Sequence, residues 1–210
     1  MYDAILFDLD GTLIDTETIA MATGIAAFAH CGHDVDPDFM HSLVGVDQPT
    51  AGRIILQRHP ELDLDLLNKR WSTGFRRGID AGLRLKSGVT ALLAAAPAHL
   101  PKALVTSSGR SDAHYKLGVA GLDRTFAAVV TVDDVTAPKP APEPYLLAAL
   151  KLGVAPSRCL VFEDSETGAE AAHRAGCVVV QVPDVVPSQG RWAHHLAADL
   201  LSGARAAGLI

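Results

Sequence analysis

Asp3-Ala4-Ile5-Leu6-Phe7-Asp8-Leu9-Asp10-Gly11-Thr12-Leu13 is the stretch whose reading decides the fold. Its apolar run, residues 4–7, suits a buried strand. The run ends in two aspartates spaced i, i+2, and Gly11 then lets the backbone turn tightly. In an open α/β sheet the carboxyl edge of the strands is where ligands bind. Two acids at the rim of a buried strand are costly unless a cation balances them. A metal ion with an anionic substrate is the usual solution. On its own the pair also reads as strand-end acids capping the next turn.

Working outward, four more strand-like runs follow, at residues 102–106, 128–132, 159–163 and 178–182, with the first strand extending over 4–8. Helical patterns at 112–118, 145–152 and 168–174 alternate with the later ones. Such alternation predicts βαβ units in a parallel sheet with right-handed crossovers. Residues 16–85 break the rhythm. They hold no convincing strand, and runs at 18–30, 50–58 and 66–77 read as helices punctuated by Pro37, Pro49 and Pro60. A connection that long is a module of its own. The expected fold is therefore an α/β, Rossmann-like parallel five-stranded sheet flanked by helices, with an inserted all-helical domain. The core would comprise residues 1–15 and 86–210 and the insert 16–85, with hinges at 14–17 and 84–88.

Composition narrows the function. With 210 residues, 49% of them hydrophobic, the chain can bury a sizeable core. A formal charge of −6 argues against nucleic acid or an anionic membrane as partner, so an anionic substrate has to be held by local charge. No apolar run approaches the ~20 residues that span a bilayer, and the first residues show no signal-peptide pattern. The 3 cysteines, Cys31, Cys159 and Cys177, lack metal-type pairing and read as reduced thiols. The expectation is a cytoplasmic monomer.

Three further stretches carry chemistry. In Leu104-Val105-Thr106-Ser107-Ser108 an apolar strand ends in a hydroxyl residue before a helix. Thr106 and the free N–H groups at that helix start can bind phosphate, although an ordinary Ser/Thr cap explains the same residues. In Pro138-Lys139-Pro140-Ala141-Pro142-Glu143-Pro144-Tyr145 the prolines hold Lys139 in extended chain. In Leu160-Val161-Phe162-Glu163-Asp164-Ser165-Glu166-Thr167-Gly168 a buried strand again ends in acids. Complementing a helix N-terminus accounts for one of those acids better than for both.

Taken in order, these four stretches resemble the motifs of the haloacid dehalogenase superfamily, and residues 16–85 look like the helical cap of its β-phosphoglucomutase-like members. The first stretch resembles DxDGT and the third KPxPxxY. The resemblance implies Mg²⁺-dependent phosphoryl chemistry with a small phosphorylated metabolite as partner. Asp8 would be the nucleophile, forming an aspartyl-phosphate. Asp10 would protonate the leaving oxygen and then deprotonate water. Lys139 would neutralise nucleophile and phosphoryl group. Thr106, Ser107, Ser108 and Lys139 would bind the phosphate. The metal site would draw on Asp8, the Asp10 carbonyl and Asp164, with Glu163 acting at one remove through water.

Substrate choice would lie in the cap and just after the second motif. Residues 43–48, ending in Gln48, look like the cap's specificity loop. A basic residue stands at the Gln48 position in β-phosphoglucomutase, where it grips a second phosphate, and a histidine stands at the Ala20 position. Both departures favour a phosphatase acting on a sugar or polyol phosphate over a phosphomutase; a non-catalytic phosphate-binding module is the remaining reading. Arg110 is a candidate reader of the substrate, and Arg53, Arg76 and Arg77 are weaker ones. His30, Cys31, His33 and His41 lack zinc-type spacing. Met21 and Met40 read as cap core, and His194 and His195 as surface residues.

Overall fold

The computed structural model describes residues 1–44, 46 and 48–210. Ala4–Phe7 forms strand β1, every residue of it buried. It is flanked on both sides, by β2 (Lys102–Val105) with Ile5 opposite Lys102 and by β4 (Cys159–Glu163) with Ala4 opposite Cys159. Strands β3 (Ala128–Val130), β5 (Val178–Gln181) and β6 (His195–Leu196) complete a parallel sheet of order β3-β2-β1-β4-β5-β6. Strands buried on both faces need continuous apolar runs rather than alternation, which is why the sequence pattern found them. Phe7 stacks on Phe162 of β4 at 5.3 Å between ring centroids.

The sheet has six strands where five were expected. The added strand, β6, is two residues long and has no apolar run. The backbone secures it: the His194 N–H donates to the Val179 carbonyl, and the Val179 N–H donates to His194 Nδ1. His194 and His195 thus belong to the sheet edge. Strand β3 stops at Val130 because the next residues turn: the Asp134 carboxylate accepts from the Thr131 N–H and hydroxyl across a 3₁₀ turn, Val132–Asp134.

Two compact units divide the chain, residues 1–15 with 84–210, and 16–83. In the first, Ile14 bridges Leu85 and the Asp15 N–H donates to the Arg84 carbonyl, so both residues 84 and 85 lie with the sheet. Its helices are, in chain order, Val89–Ala95, Arg110–Val119, Glu143–Leu152, Glu166–Arg174 and Leu200–Ala206. The first and last were not foreseen, being short and alanine-rich. The second unit holds Glu17–His30, Pro37–His41, Gln48–Arg58 and Leu64–Asp80. Numbered in chain order, the helices of the described residues are α1 (Glu17–His30), α2 (Pro37–His41), α3 (Gln48–Arg58) and α4 (Leu64–Asp80), then α5 (Val89–Ala95), α6 (Arg110–Val119), α7 (Glu143–Leu152), α8 (Glu166–Arg174) and α9 (Leu200–Ala206). Asp36 and Asp63 cap α2 and α4 by accepting backbone N–H groups. Phe28, Phe39, Met40 and Leu67 fill this unit's core, Met21 packs against it, and the Trp71 indole donates to the Ala20 carbonyl. Gly45 and Asp47 of the expected specificity loop lie outside the described residues. Among the described residues no helix is long and apolar enough to cross a membrane.

Candidate active site

The sheet order reverses direction between β1 and β4, and ligands of open α/β sheets bind at the strand ends beside such a point. Asp8 follows β1, Thr106 follows β2, and Glu163 ends β4 with Asp164 after it. The Asp8 N–H still donates to the Phe162 carbonyl, and the Thr106 N–H to the Val130 carbonyl, so the sheet ladder itself fixes both residues.

Lys139 sits at the centre. Its side chain is 5% exposed, and Nζ lies 2.7 Å from Asp8 Oδ1, 2.6 Å from Glu163 Oε1 and 2.9 Å from the Val105 carbonyl. Glu163 is fully buried. Its Oε1 also accepts from the Tyr145 hydroxyl at 2.6 Å, and its Oε2 from Ser165 Oγ at 3.2 Å. Glu163 therefore orients Lys139 and is itself held on several sides. Burial opposes the lysine's charge, but the carboxylates of Asp8 and Glu163 outweigh it and push its pKa up. Burial, Asp8 and Glu163 also raise the Tyr145 hydroxyl's pKa well above its ordinary value, so it stays a donor.

Asp8, Glu163 and Asp164 each offer a carboxylate oxygen, and these three lie within 4.8 Å of one another. Crowding has electrostatic consequences. Burial raises Asp8 to about 7, with Glu163 and Asp10 adding to the rise and Lys139 opposing it. Burial and the charges of Asp8 and Glu163 raise Asp164 to about 9. Thr12 Oγ1 donates to Asp164 Oδ1 at 3.2 Å, and buried Gln181 donates to the Asp164 carbonyl at 3.3 Å. Two glycines make room. A Cβ at Gly11, whose φ is +82°, would stand 2.4 Å from Asp164 Oδ2, and one at Gly168 would stand 1.9 Å from Glu163 Oε1.

Asp10 points elsewhere, to Ser108 Oγ at 2.8 Å and to Lys116 Nζ at 2.8 and 3.0 Å. Thr106 Oγ1 accepts the Ser108 N–H, shaping the turn after β2, and Ser107 is exposed in that turn. Arg110 differs from expectation: its guanidinium pairs with Asp134 at 2.7 Å, because the 3₁₀ turn after β3 presents two acids to the start of α6. Gln48 opens α3 and, with Ala20, Leu43, Val46, Trp71 and Phe75, lines a cavity of about 420 Å³ in the helical unit. Arg53 donates to Thr50 and Arg76 pairs with Asp80, both on the surface. Among the described residues no histidine or cysteine joins a potential metal group.

Sequence reasoning missed Lys116, Thr12, Gln181 and the pair Lys86–Asp184, whose carboxylate faces the same space beside Gly11. Lys116 left a signal: a charge on the helix face shared by buried Ala113 and Leu117.

A family model described as haloacid dehalogenase-like hydrolase matches residues 5–182. The fructose-1-phosphate phosphatase YqaB of Escherichia coli is 33% identical over 184 residues, covering 86% of this chain and 96% of that protein. A phosphorylated carbohydrates phosphatase of Thermotoga maritima is 32% identical over 176 residues, covering 83% and 82%. The crystal structure of a hydrolase from Deinococcus radiodurans, with bound phosphate and sodium, superposes with a TM-score of 0.85 at 28% identity, covering 100% of this chain and 97% of that one. From its first strand through its fifth the sequence follows one family model, and the chain belongs to the haloacid dehalogenase-like hydrolases.

Proposed function

We propose that the protein is a Mg²⁺-dependent phosphatase that hydrolyses a small phosphomonoester of the sugar or polyol class through an aspartyl-phosphate. The observation that carries this reading is the buried contact of Lys139 with Asp8, which leaves a carboxylate at a sheet edge beside a fixed cation. The Asp8 carboxylate attacks phosphorus. Its oxygen–phosphorus bond forms as the bond to the leaving oxygen breaks, and the Asp10 carboxyl gives that oxygen its proton. The Asp10 carboxylate then takes a proton from water, whose oxygen attacks phosphorus and returns Asp8 as a carboxylate. Thr106, Ser107, Ser108 and Lys139 hold phosphoryl oxygens, and Lys139 offsets the charge building on them.

The residues present fit a magnesium ion. Asp8 and Asp164 would hold it together with the Asp10 carbonyl, a set of hard oxygen donors. Burial and mutual repulsion press both acids toward neutrality, and a cation relieves that pressure. When bound, the ion supplies positive charge beside the phosphoryl oxygens. Glu163, occupied by Lys139 and Tyr145, serves by holding the lysine. The substrate class is supported by the relatives' own substrates, fructose 1-phosphate and phosphorylated carbohydrates. Gln48 and Ala20 on one uncharged cavity wall favour a phosphatase over a mutase.

The test is release of inorganic phosphate from a panel of sugar and polyol phosphates, with Mg²⁺, with EDTA, and with Asp8→Asn. Activity should vanish in EDTA, return with Mg²⁺ and only weakly with Ca²⁺, and be lost in the folded Asp8→Asn variant. Full turnover in metal-free buffer, or wild-type turnover by Asp8→Asn, overturns the proposal.

A further inference from the structure

Lys116 lies outside all four motifs, in the last turn of α6 (Arg110–Val119), and its side chain is only 8% exposed. Ala113 and Leu117 are buried on the same helix. An ammonium sunk among apolar neighbours is costly unless it is paired and hydrogen-bonded. Here it is both. Nζ lies 2.8 Å from Asp10 Oδ1, 3.0 Å from Asp10 Oδ2 and 3.1 Å from Ser108 Oγ, while Ser108 Oγ donates to Asp10 Oδ2 at 2.8 Å. Both oxygens of Asp10 are thus held from the far side of the β2 turn. Lys139 does the corresponding work for Asp8 and Glu163, so the two acids of the first motif each have their own buried lysine.

We propose that Lys116 is a positioning residue that holds the Asp10 carboxylate for the water-activating half of the reaction. This rests on the acid–base role given to Asp10 above. Contact with both oxygens fixes the side-chain rotamer from which the carboxylate takes the proton from water. The first half makes a different demand. Asp8 attacks without a base, and an aryl leaving group departs with little help from an acid. Loss of Lys116 therefore slows hydrolysis of the aspartyl-phosphate more than its formation.

The experiment uses p-nitrophenyl phosphate with Mg²⁺ and follows steady-state and pre-steady-state p-nitrophenolate. In Lys116→Met, kcat should fall by roughly 10²-fold while KM falls with it, because aspartyl-phosphate accumulates. A burst of p-nitrophenolate should precede slow turnover. Lys116→Arg, which can still reach both oxygens, should restore kcat to within about tenfold and abolish the burst. A merely structural role moves kcat and kcat/KM together, gives no burst and is not rescued by arginine; that result overturns the inference. Should Lys116→Met fail to fold, Lys116→Gln and Lys116→Arg carry the same comparison. Asp10→Asn separates the two layers. If it loses turnover while Lys116→Met and Lys116→Gln do not, only the role of Lys116 falls. If it keeps wild-type turnover, the acid–base reading of Asp10 falls, and the role of Lys116 with it.

Discussion

Replacing Gly168 by alanine should damage the site through Glu163. A Cβ there would stand 1.9 Å from Glu163 Oε1 and 2.2 Å from Oε2, distances no carbon and oxygen tolerate. A flexible carboxylate at the surface would swing away. Glu163 is fully buried, tied to Lys139 at 2.6 Å and to Tyr145 at 2.6 Å. Moving it breaks a buried ion pair, which costs about 3–5 kcal/mol. Alanine returns about 1 kcal/mol in helix propensity. The net loss is about 2–4 kcal/mol, or roughly 4–16 °C in melting temperature for a chain of this size. Gly118, in α6, is the control, because a Cβ there meets nothing within 4 Å. Gly118→Ala should be neutral or stabilising by up to about 1 kcal/mol. Thermal unfolding followed by circular dichroism compares the two variants, with phosphate release measured alongside. If Gly168→Ala melts with Gly118→Ala and keeps full activity, the rigid tethering of Glu163 argued here is wrong.

Two further predictions are independent of that one. Burial, with His33 and Arg58 nearby, holds the His59 imidazole below its ordinary pKa of 6.5, and its buried Nε2 has no hydrogen-bond partner among the described residues. Below that pH the unfolded chain binds a proton that the folded one refuses, so this residue's contribution makes stability fall as pH drops from about 6.5 toward the folded pKa. Urea titrations at stepped pH should show a shallower decline in His59→Phe, and an identical slope in both proteins would refute the assignment. Given β-glucose 1-phosphate, a bisphosphate primer and Mg²⁺, the protein should release free phosphate. Efficient formation of glucose 6-phosphate with negligible phosphate would instead make it a mutase.

Much of the molecule was legible because the signals were local. The five longer strands are apolar runs in sequence, and their acids and hydroxyls sit at the run ends, where the chain leaves the sheet. Asp8, Thr106, Glu163 and Asp164 could be picked out for that reason, and Lys139 from the prolines on either side of it. Strand β6 was not, because its two residues are defined by whom they pair with. Lys116 and Gln181 were missed for a related reason: a helix-face lysine and a strand-end glutamine gain meaning only from the acids that the fold brings to them. Arg110 also has a partner that sequence alone did not indicate: Asp134, beyond β3, pairs with its guanidinium.

The central place of β1 has a temporal consequence. The strand is made first, yet its two neighbours, β2 and β4, are made long after it, with Ala4 opposite Cys159 at the far end of that wait. Pairings so distant in sequence form slowly, since loop closure must precede any reward from the contacts. A chain ended after Leu152 would carry Asp8, Asp10, Thr106 and Lys139 but leave one flank of β1 bare, an apolar edge open to other chains. The nascent protein thus holds β1 before either of its neighbours, and assembly of the acid cluster and covering of that strand become the same event.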